Sequence, residues 1–539
     1  MKSIRLLFFF LLFFPLQNLS AQLYDMIPVS DPVLEDLRYL AMASGKPLVS
    51  FTPPFSLHEI EQFINSLDEA NLPAPAQEAY QRVIKRLNPK TNLNLSGDYF
   101  ALLININSTI EIKTRFDTDV SWYPHYSRIP AFISTPVRFN FSNMVQLYIE
   151  PSINVNPDYY DQTGIFSLNI PFDYYDYDAN MPLRAYITAG GPWWNFQLGR
   201  DRLFWGTGNM GSLSFSDNAS FSDFARLSVF SQFIKYSLVI NQMPLTLDDT
   251  IYDRPFIDEN SLRHTTQRYF YLHRMDFRFF GKISLGIMEG IMAANSAIEL
   301  RFLNPFVVFH SFFSWSDYDY WSEMPETGSM VGSFFSVELN WNIIKNFSIY
   351  GQMVMNEFST SDEANNSTDL PPNAFGYIAG LQYAHSFNTW ASVFFLEAIY
   401  TDPFLYVLSS PFCSFIQMRR YAAMHYYFIG YPRDNFTCTL GGRFFNNDSL
   451  SISGHISWFV QGQRGIKWDW EKGQDAYNAR TPTGTAESKI IASFGANWKP
   501  LSFLTINGVL TGIYSQNNNH NSNSNKFGGQ AELSVSFSY

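Results

Sequence analysis

From about residue 93 to the C-terminus the chain alternates apolar and polar positions in runs separated by turn residues. The last run is the plainest. Ala531, Leu533, Val535, Phe537 and Tyr539 fall on one side, and Gln530, Glu532, Ser534, Ser536 and Ser538 on the other. Just upstream, Ile490, Ala492, Phe494, Ala496 and Trp498 alternate with Lys489, Ser493, Gly495 and Asn497. A period of two sends successive side chains to opposite faces of a strand, so one face is apolar throughout and the other wet. Runs of about ten such residues match a tilted strand that crosses a bilayer.

The connections alternate too. Residues 516–525 are long and polar, and the turn at Lys499-Pro500 is tight. Residues 461–487 are long, and Asn446-Asn447-Asp448 is short. Further back 401–433 and 359–374 are long, whereas 385–388 and 344–346 are short. Long loops at one end and short periplasmic turns at the other is the outer-membrane arrangement. The pattern therefore predicts an all-β transmembrane fold over 93–539, an antiparallel outer-membrane β-barrel of about 18 strands, within a range of roughly 16–20. A barrel of that width leaves a lumen that wall side chains alone do not fill.

Residues 22–92 follow another period. Asp31-Pro32 supplies a cap and a first-turn proline, and Val33, Leu34, Leu37, Leu40 and Ala41 repeat at helical spacing up to Gly45. Ser56 and Glu59 form a capping box ahead of Ile60, Phe63, Ile64 and Leu67, and a third apolar stripe runs from Ala74 to Leu87. Three short helices bury little alone. They are expected at the periplasmic end of the barrel, where 30–90 would cap it, plug it, or dock periplasmic export machinery. Residues 1–21 read as a signal peptide, with Lys2 and Arg5, an apolar stretch from Leu6 to Phe14, and Leu19-Ser20-Ala21 as the cleavage site.

Composition supports the membrane reading. Among 539 residues aromatics make up 18% and charged residues only 16%, with a mean hydropathy of −0.12. Half the strand residues facing lipid and half facing water would cancel in this way. The formal charge of −12 becomes −14 once Lys2 and Arg5 are removed, which argues against nucleic acid as a partner. The expected surroundings are outer-membrane lipid, and the expected assembly a monomer. Cys413 and Cys438 are the only thiols, and in an exported chain they admit one disulfide. No His or Cys stands at zinc-ligand spacing, so no cofactor is expected.

The stretch LGRDRLFWGTGNMGSLSFSDNASF (198–221) falls between two predicted strands, as an outside-facing or lumen-lining connection. Its glycines do not make a nucleotide loop, because no helix follows and no lysine is present. GRDRLFWGTGNMGSLSFSDNA resembles a signature of the capsule-assembly Wzi family of outer-membrane proteins, with Thr207 where the family usually has proline. HRMDFRFFGKISLGIMEG (273–290), ELRFLNPFVVFH (299–310), YTDPFLYVLSS (400–410) and residues 430–465 resemble later family segments in the same order. The resemblance implies an outer-membrane barrel with an N-terminal helical element and a lectin-like role, holding capsular or related surface polysaccharide. It carries over no individual functional residue.

Sugars offer flat C–H faces to aromatic rings and hydroxyls to carboxylates, amides and guanidinium groups. Arg200, Arg202, Trp205, Asp217 and Asn218 supply that mixture in one segment, with turn formation and packing as the structural alternative. Trp315, Tyr318, Tyr320 and Trp321 in WSDYDYWSEM form a second patch, and FDYYDYDAN (172–180) a third. Aromatics interleaved with carboxylates suit neutral or amino sugars or a calcium bridge, although a barrel also needs an interfacial aromatic girdle. Arg301, with Arg274 and Arg278, is expected on a strand facing the lumen, either attracting an anionic polymer or pairing with Glu289, Glu299 and Asp276. Arg419 and Arg420 fall in the longest outer loop. No Ser/His or Asp/His spacing marks a hydrolase, and His310 beside Ser311 would face away from it, so no enzyme is expected. The competing reading is a porin or substrate-selective channel.

Overall fold

The computed structural model describes residues 25–87, 93–96, 100–116, 120, 129–141, 144–156, 165–178, 184–216, 221–247, 264–294, 297–309, 331–359, 370–419, 425–446, 449–464 and 470–539. The leader expected at 1–21 lies outside them. Three helices open the described chain: α1 (Val33–Ser44), α2 (Leu57–Asn65) and α3 (Ala74–Leu87). The long strands follow as β1 (Asn107–Phe116), β2 (Val137–Phe141), β3 (Val145–Ile149), β4 (Ala185–Gly191), β5 (Trp194–Asp201) and β6 (Ser222–Phe230). Next come β7 (Ile234–Gln242), β8 (Arg268–Phe279), β9 (Ile283–Ala294), β10 (Val331–Ile344), β11 (Phe347–Glu357) and β12 (Ala374–Phe387). The last are β13 (Trp390–Thr401), β14 (Asn435–Asn446), β15 (Leu450–Gln461), β16 (Glu487–Leu501), β17 (Leu504–Gln516) and β18 (Lys526–Ser538).

From β4 to β18 each of these strands pairs antiparallel with the next, within one large sheet. β18 pairs along its other edge with β1, from Gly529↔Phe116 to Ser538↔Asn107. A short strand just before β1, Phe100–Ile104, pairs with β2, and the run continues through β3 to β4. The period of two is visible in β7. Lys235, Ser237, Val239 and Asn241 are buried on its inner face, whereas Ile234 on the outer face is exposed. Short turns are made by residues that tolerate the left-handed region, Asn346 (φ 68°) and Asn388 (φ 52°). Lys499-Pro500, expected to be a turn, is instead a register shift within β16, which runs on to Leu501. Proline cannot donate to the ladder, so the pairing skips it without ending.

The helices form where the apolar period placed them. Gly45 ends α1 at φ 74°, and the Ser56–Glu59 capping box is present. Leu37, Leu40, Ile60, Ile64, Ala76 and Val83 make one core, shared with Ala384, Ala391 and Val393 of the wall. The contacts fall at the short-turn end. Asn346 N–H donates to Met42 carbonyl (2.8 Å), Tyr39 hydroxyl meets Ser386 hydroxyl (2.7 Å), and Gln62 amide donates to Pro192 carbonyl (2.5 Å). Arg443 of β14 pairs with Glu35.

The disulfide does not form, and both cysteines are free. Cys413 is fully buried in the interior loop 402–416. Cys438 sits on β14 opposite Ala398 and Trp458, between Thr437 and Thr439, which are buried inward, so its side chain is on the other face of the wall. A sheet thickness separates the two, beyond what an S–S bond spans.

Two outcomes are expected. Non-reducing and reducing electrophoresis will give the same mobility, and Cys413, whose thiol burial pushes well above its ordinary pKa, will resist a water-soluble maleimide until the protein is unfolded. The N-terminal segment will respond to acid. Burial works against ionised Asp25, but Arg138 (3.4 Å) and Arg86 (3.0 Å) outweigh it and hold the carboxyl below its ordinary range. A depressed pKa stabilises docking above the ordinary carboxylate range and loses that contribution as pH falls below it. Limited proteolysis of residues 25–87 should accelerate there, and less so in Asp25→Asn.

Candidate functional site

β5 ends at Asp201, whose carboxylate receives Arg184 Nε (2.9 Å). The chain then turns inward. Phe204 N–H donates to Pro53 carbonyl (3.2 Å) and Gly206 N–H to Phe51 carbonyl (3.2 Å), so the N-terminal segment reaches into the interior to meet the loop. Trp205 bridges Phe215 across the loop's own narrow hairpin. Gly206 belongs there because a Cβ would lie 2.4 Å from Ser212 Oγ.

The tip of the loop is held by the opposite wall. Glu397 of β13 accepts the N–H groups of Asn209 (2.7 Å) and Met210 (3.0 Å), and Tyr350 hydroxyl donates to the same carboxylate (2.8 Å). Gln352 of β11 accepts Leu213 N–H (2.8 Å) and donates to Ser214 hydroxyl (3.0 Å). A third strut comes from residues 402–416, where Tyr406 hydroxyl donates to Leu213 carbonyl (2.8 Å). Arg38 of α1 donates to the carbonyls of Thr207 (3.1 Å) and Gly208 (3.3 Å). The two consecutive N–H groups that would otherwise offer an anion cradle are thus taken by Glu397. The cavity beneath the loop, lined by Arg38, Ser50, Thr207, Ser284, Asn340 and Asn342, measures about 30 Å³, room for a water rather than a sugar ring.

The expected site residues part company. Trp205 is 0% and Arg202 2% exposed, so both serve the packed loop and present no face to a polymer. Arg200 points the other way, on the outer face of β5 beside Asp223 (3.5 Å). Arg301 is on a short 3-10 turn, Leu300–Leu303, rather than a strand, and pairs with Glu299 (3.1 Å). Arg274 does face inward, and it pairs with Asp276 (2.7 Å) and Glu338 (3.2 Å). Arg278 donates to Pro47 carbonyl (3.4 Å). Asp217, Asn218, Trp315, Tyr318, Tyr320, Trp321, His310 and Arg420 lie outside the described residues.

The third aromatic patch is described over residues 172–178, and its rings are exposed. Phe172, Tyr174 and Tyr175 are 78%, 84% and 80% exposed. Asp176 turns back to accept the N–H groups of Phe172 (3.2 Å) and Asp173 (3.0 Å), fixing the turn that presents the rings. This segment follows β3 and precedes β4, at the long-loop end. Sequence reading missed Glu397, Gln352 and Tyr350. Their signal was available: each is a polar group in the inward phase of a strand whose other phase is apolar.

A family model described as capsule assembly protein Wzi matches residues 133–410. Among solved structures the chain is similar to Wzi of Escherichia coli, described as an outer-membrane protein involved in group 1 capsule assembly and a carbohydrate-binding β-barrel. The identity is 14% and the TM-score 0.57, covering 94% of this chain and 98% of that one. OccK10 of Pseudomonas aeruginosa matches at 8% identity and TM-score 0.40, covering 81% and 98%. OmpT of Vibrio cholerae matches at 9% and 0.34, covering 83% and 100%. No curated protein sequence matches.

Replacing Glu397 by alanine leaves two loop N–H groups and the Tyr350 hydroxyl without their acceptor. Hydrogen bonds to a charged group contribute about 1.5–3 kcal/mol each. Glu397→Ala should therefore raise protease sensitivity at 206–213 and single-channel conductance in planar bilayers over the unmodified protein. Unchanged values would mean that the loop does not depend on this carboxylate.

Proposed function

The chain belongs to the capsule assembly protein Wzi family of the outer membrane, and from that premise we propose that it binds surface polysaccharide and helps assemble or retain it at the cell surface. The observation that carries this reading is the pairing of an obstructed interior with rings held outward. Residues 202–216, 402–416, 428–431 and the N-terminal segment pack against the inside of the wall, while Phe172, Tyr174 and Tyr175 stand exposed at the long-loop end. A transport pore needs the reverse. Exposed rings on a turn braced by Asp176 offer stacking faces to sugar C–H groups.

In this reading the sheet is a barrel of about eighteen strands, even-numbered as such barrels usually are, and its short turns face the periplasm. The pairing of β1 with β18 supports it. The helices would then stand at the periplasmic mouth, where their outer surface is available to export machinery. The protein acts by binding, as a monomer, without catalysis. The exposed rings of Phe172, Tyr174 and Tyr175 are its first candidates for polymer contact, with the aromatic stretch WSDYDYWSEM (315–324) a second candidate from its sequence alone.

The test is a comparison of cells lacking the protein, cells carrying it, and cells carrying Phe172→Ala/Tyr174→Ala/Tyr175→Ala. Loss of the protein should shed polysaccharide into the medium. Aromatic contacts contribute about 0.5–1.5 kcal/mol each beyond the area they bury, so the triple variant should weaken glycan binding by roughly tenfold or more. A variant that retains glycan normally would remove this patch from the site. Large open conductance in bilayers, with no glycan retained, would favour a channel instead.

A further inference from the structure

Residues 297–309, which connect β9 to β10, do not join the interior. They lie against the outer face of β8 and β9. That face breaks the alternation, since His273 and Glu289 stand opposite each other in the β8–β9 register on the side that carries Met275 and Ile287 elsewhere. The connecting segment satisfies both. His273 Nε2 bonds Phe302 carbonyl (2.9 Å), and Glu289 accepts Phe309 N–H (3.0 Å). Tyr271 hydroxyl accepts Glu299 N–H (3.0 Å). Phe309 packs on the His273 ring with centroids 4.4 Å apart, and Phe302 on Tyr271 at 5.1 Å. Tyr271, Ile291, Ala293, Phe302, Phe309 and Val331 form a closed core of their own, outside the wall.

The opposite surface of this segment is apolar except for Asn304, whose Oδ1 accepts Phe306 N–H (3.1 Å). Leu300 and Phe306 are 77% and 90% exposed, and Ile298 and Val308 are more than half exposed. We propose that residues 297–309 are a strap immersed in the outer leaflet, with Ile298, Leu300, Phe306 and Val308 against lipid hydrocarbon. His273 and Glu289 lie midway along strands that cross the membrane, so whatever covers them lies at membrane depth. An uncovered polar pair there would face hydrocarbon with no partner. The strap supplies those partners from its backbone and continues the apolar outer face of the neighbouring strands with its side chains.

The full-length protein in liposomes decides it. A membrane-partitioned carbene precursor should label peptide 297–309 as strongly as outward strand positions such as Met275 and Ile287. In a second measurement, bimane on Phe306→Cys, in a Cys413→Ala/Cys438→Ala background, should be quenched several-fold more by nitroxide on lipid acyl chains than by aqueous iodide. Strong carbene labelling of Met275 and Ile287 without 297–309, or iodide as the better quencher of Phe306→Cys, would overturn the proposal. The carbene measurement needs no substitution, so it stands even where the cysteine background misfolds.

Discussion

A wall one sheet thick, apolar on its outer face, sends its polar side chains to the other face and then obliges them to find partners there. The rest of this molecule follows from that. Glu397 is answered by two loop N–H groups, Gln352 by Leu213 and Ser214, and Lys235 by Glu59 of α2 (2.5 Å). Arg226 donates to Pro54 carbonyl (2.6 Å). Arg268 is surrounded by main-chain carbonyls of 411–416, including Ser414 (2.8 Å). The interior filling is thus the complement of the wall's inward phase. A buried charge left unanswered costs far more than the same charge in water, so loops and wall are mutually required.

The same requirement explains the exception on the outer face. His273 and Glu289 could not be left to hydrocarbon, and a loop came down outside to meet them. Inside or outside, the described segments 202–216, 402–416 and 297–309 go where polar groups of the wall need partners. What stays at the long-loop end without such a tie, such as Tyr174 and Tyr175, is free to meet something else.

Much of this was legible in the sequence, because alternation, helical period and capping are local. The strands from β12 to β18, the three helices and the Ser56–Glu59 box are written in neighbouring residues. The direction of the loops is not local. The stretch 202–216 reads as a polar outside turn until Glu397 and Gln352, well over a hundred residues away, are seen to be its partners. Trp205 looks like a stacking platform from its neighbours and proves to be a core residue because of Phe215, Phe270 and the wall behind them. Parity did hold information about the cysteines. Cys438 lies in the same phase as Phe436 and Leu440, which already places it on the lipid side of the wall.

The pairing of β1 with β18 joins residues 107–116 to 529–538. Neighbours in space are here the two extremes of the strand order, and the intervening chain must be organised before that seam has both its edges. Non-local pairing of this kind carries a loop-closure entropy that local contacts do not repay early. Until the final thirteen-residue strand is delivered, β1 has an unpaired edge. An unfinished sheet with a bare edge is a template for other strands. The C-terminal residues are thus as much a protection against misassembly as a part of the finished wall.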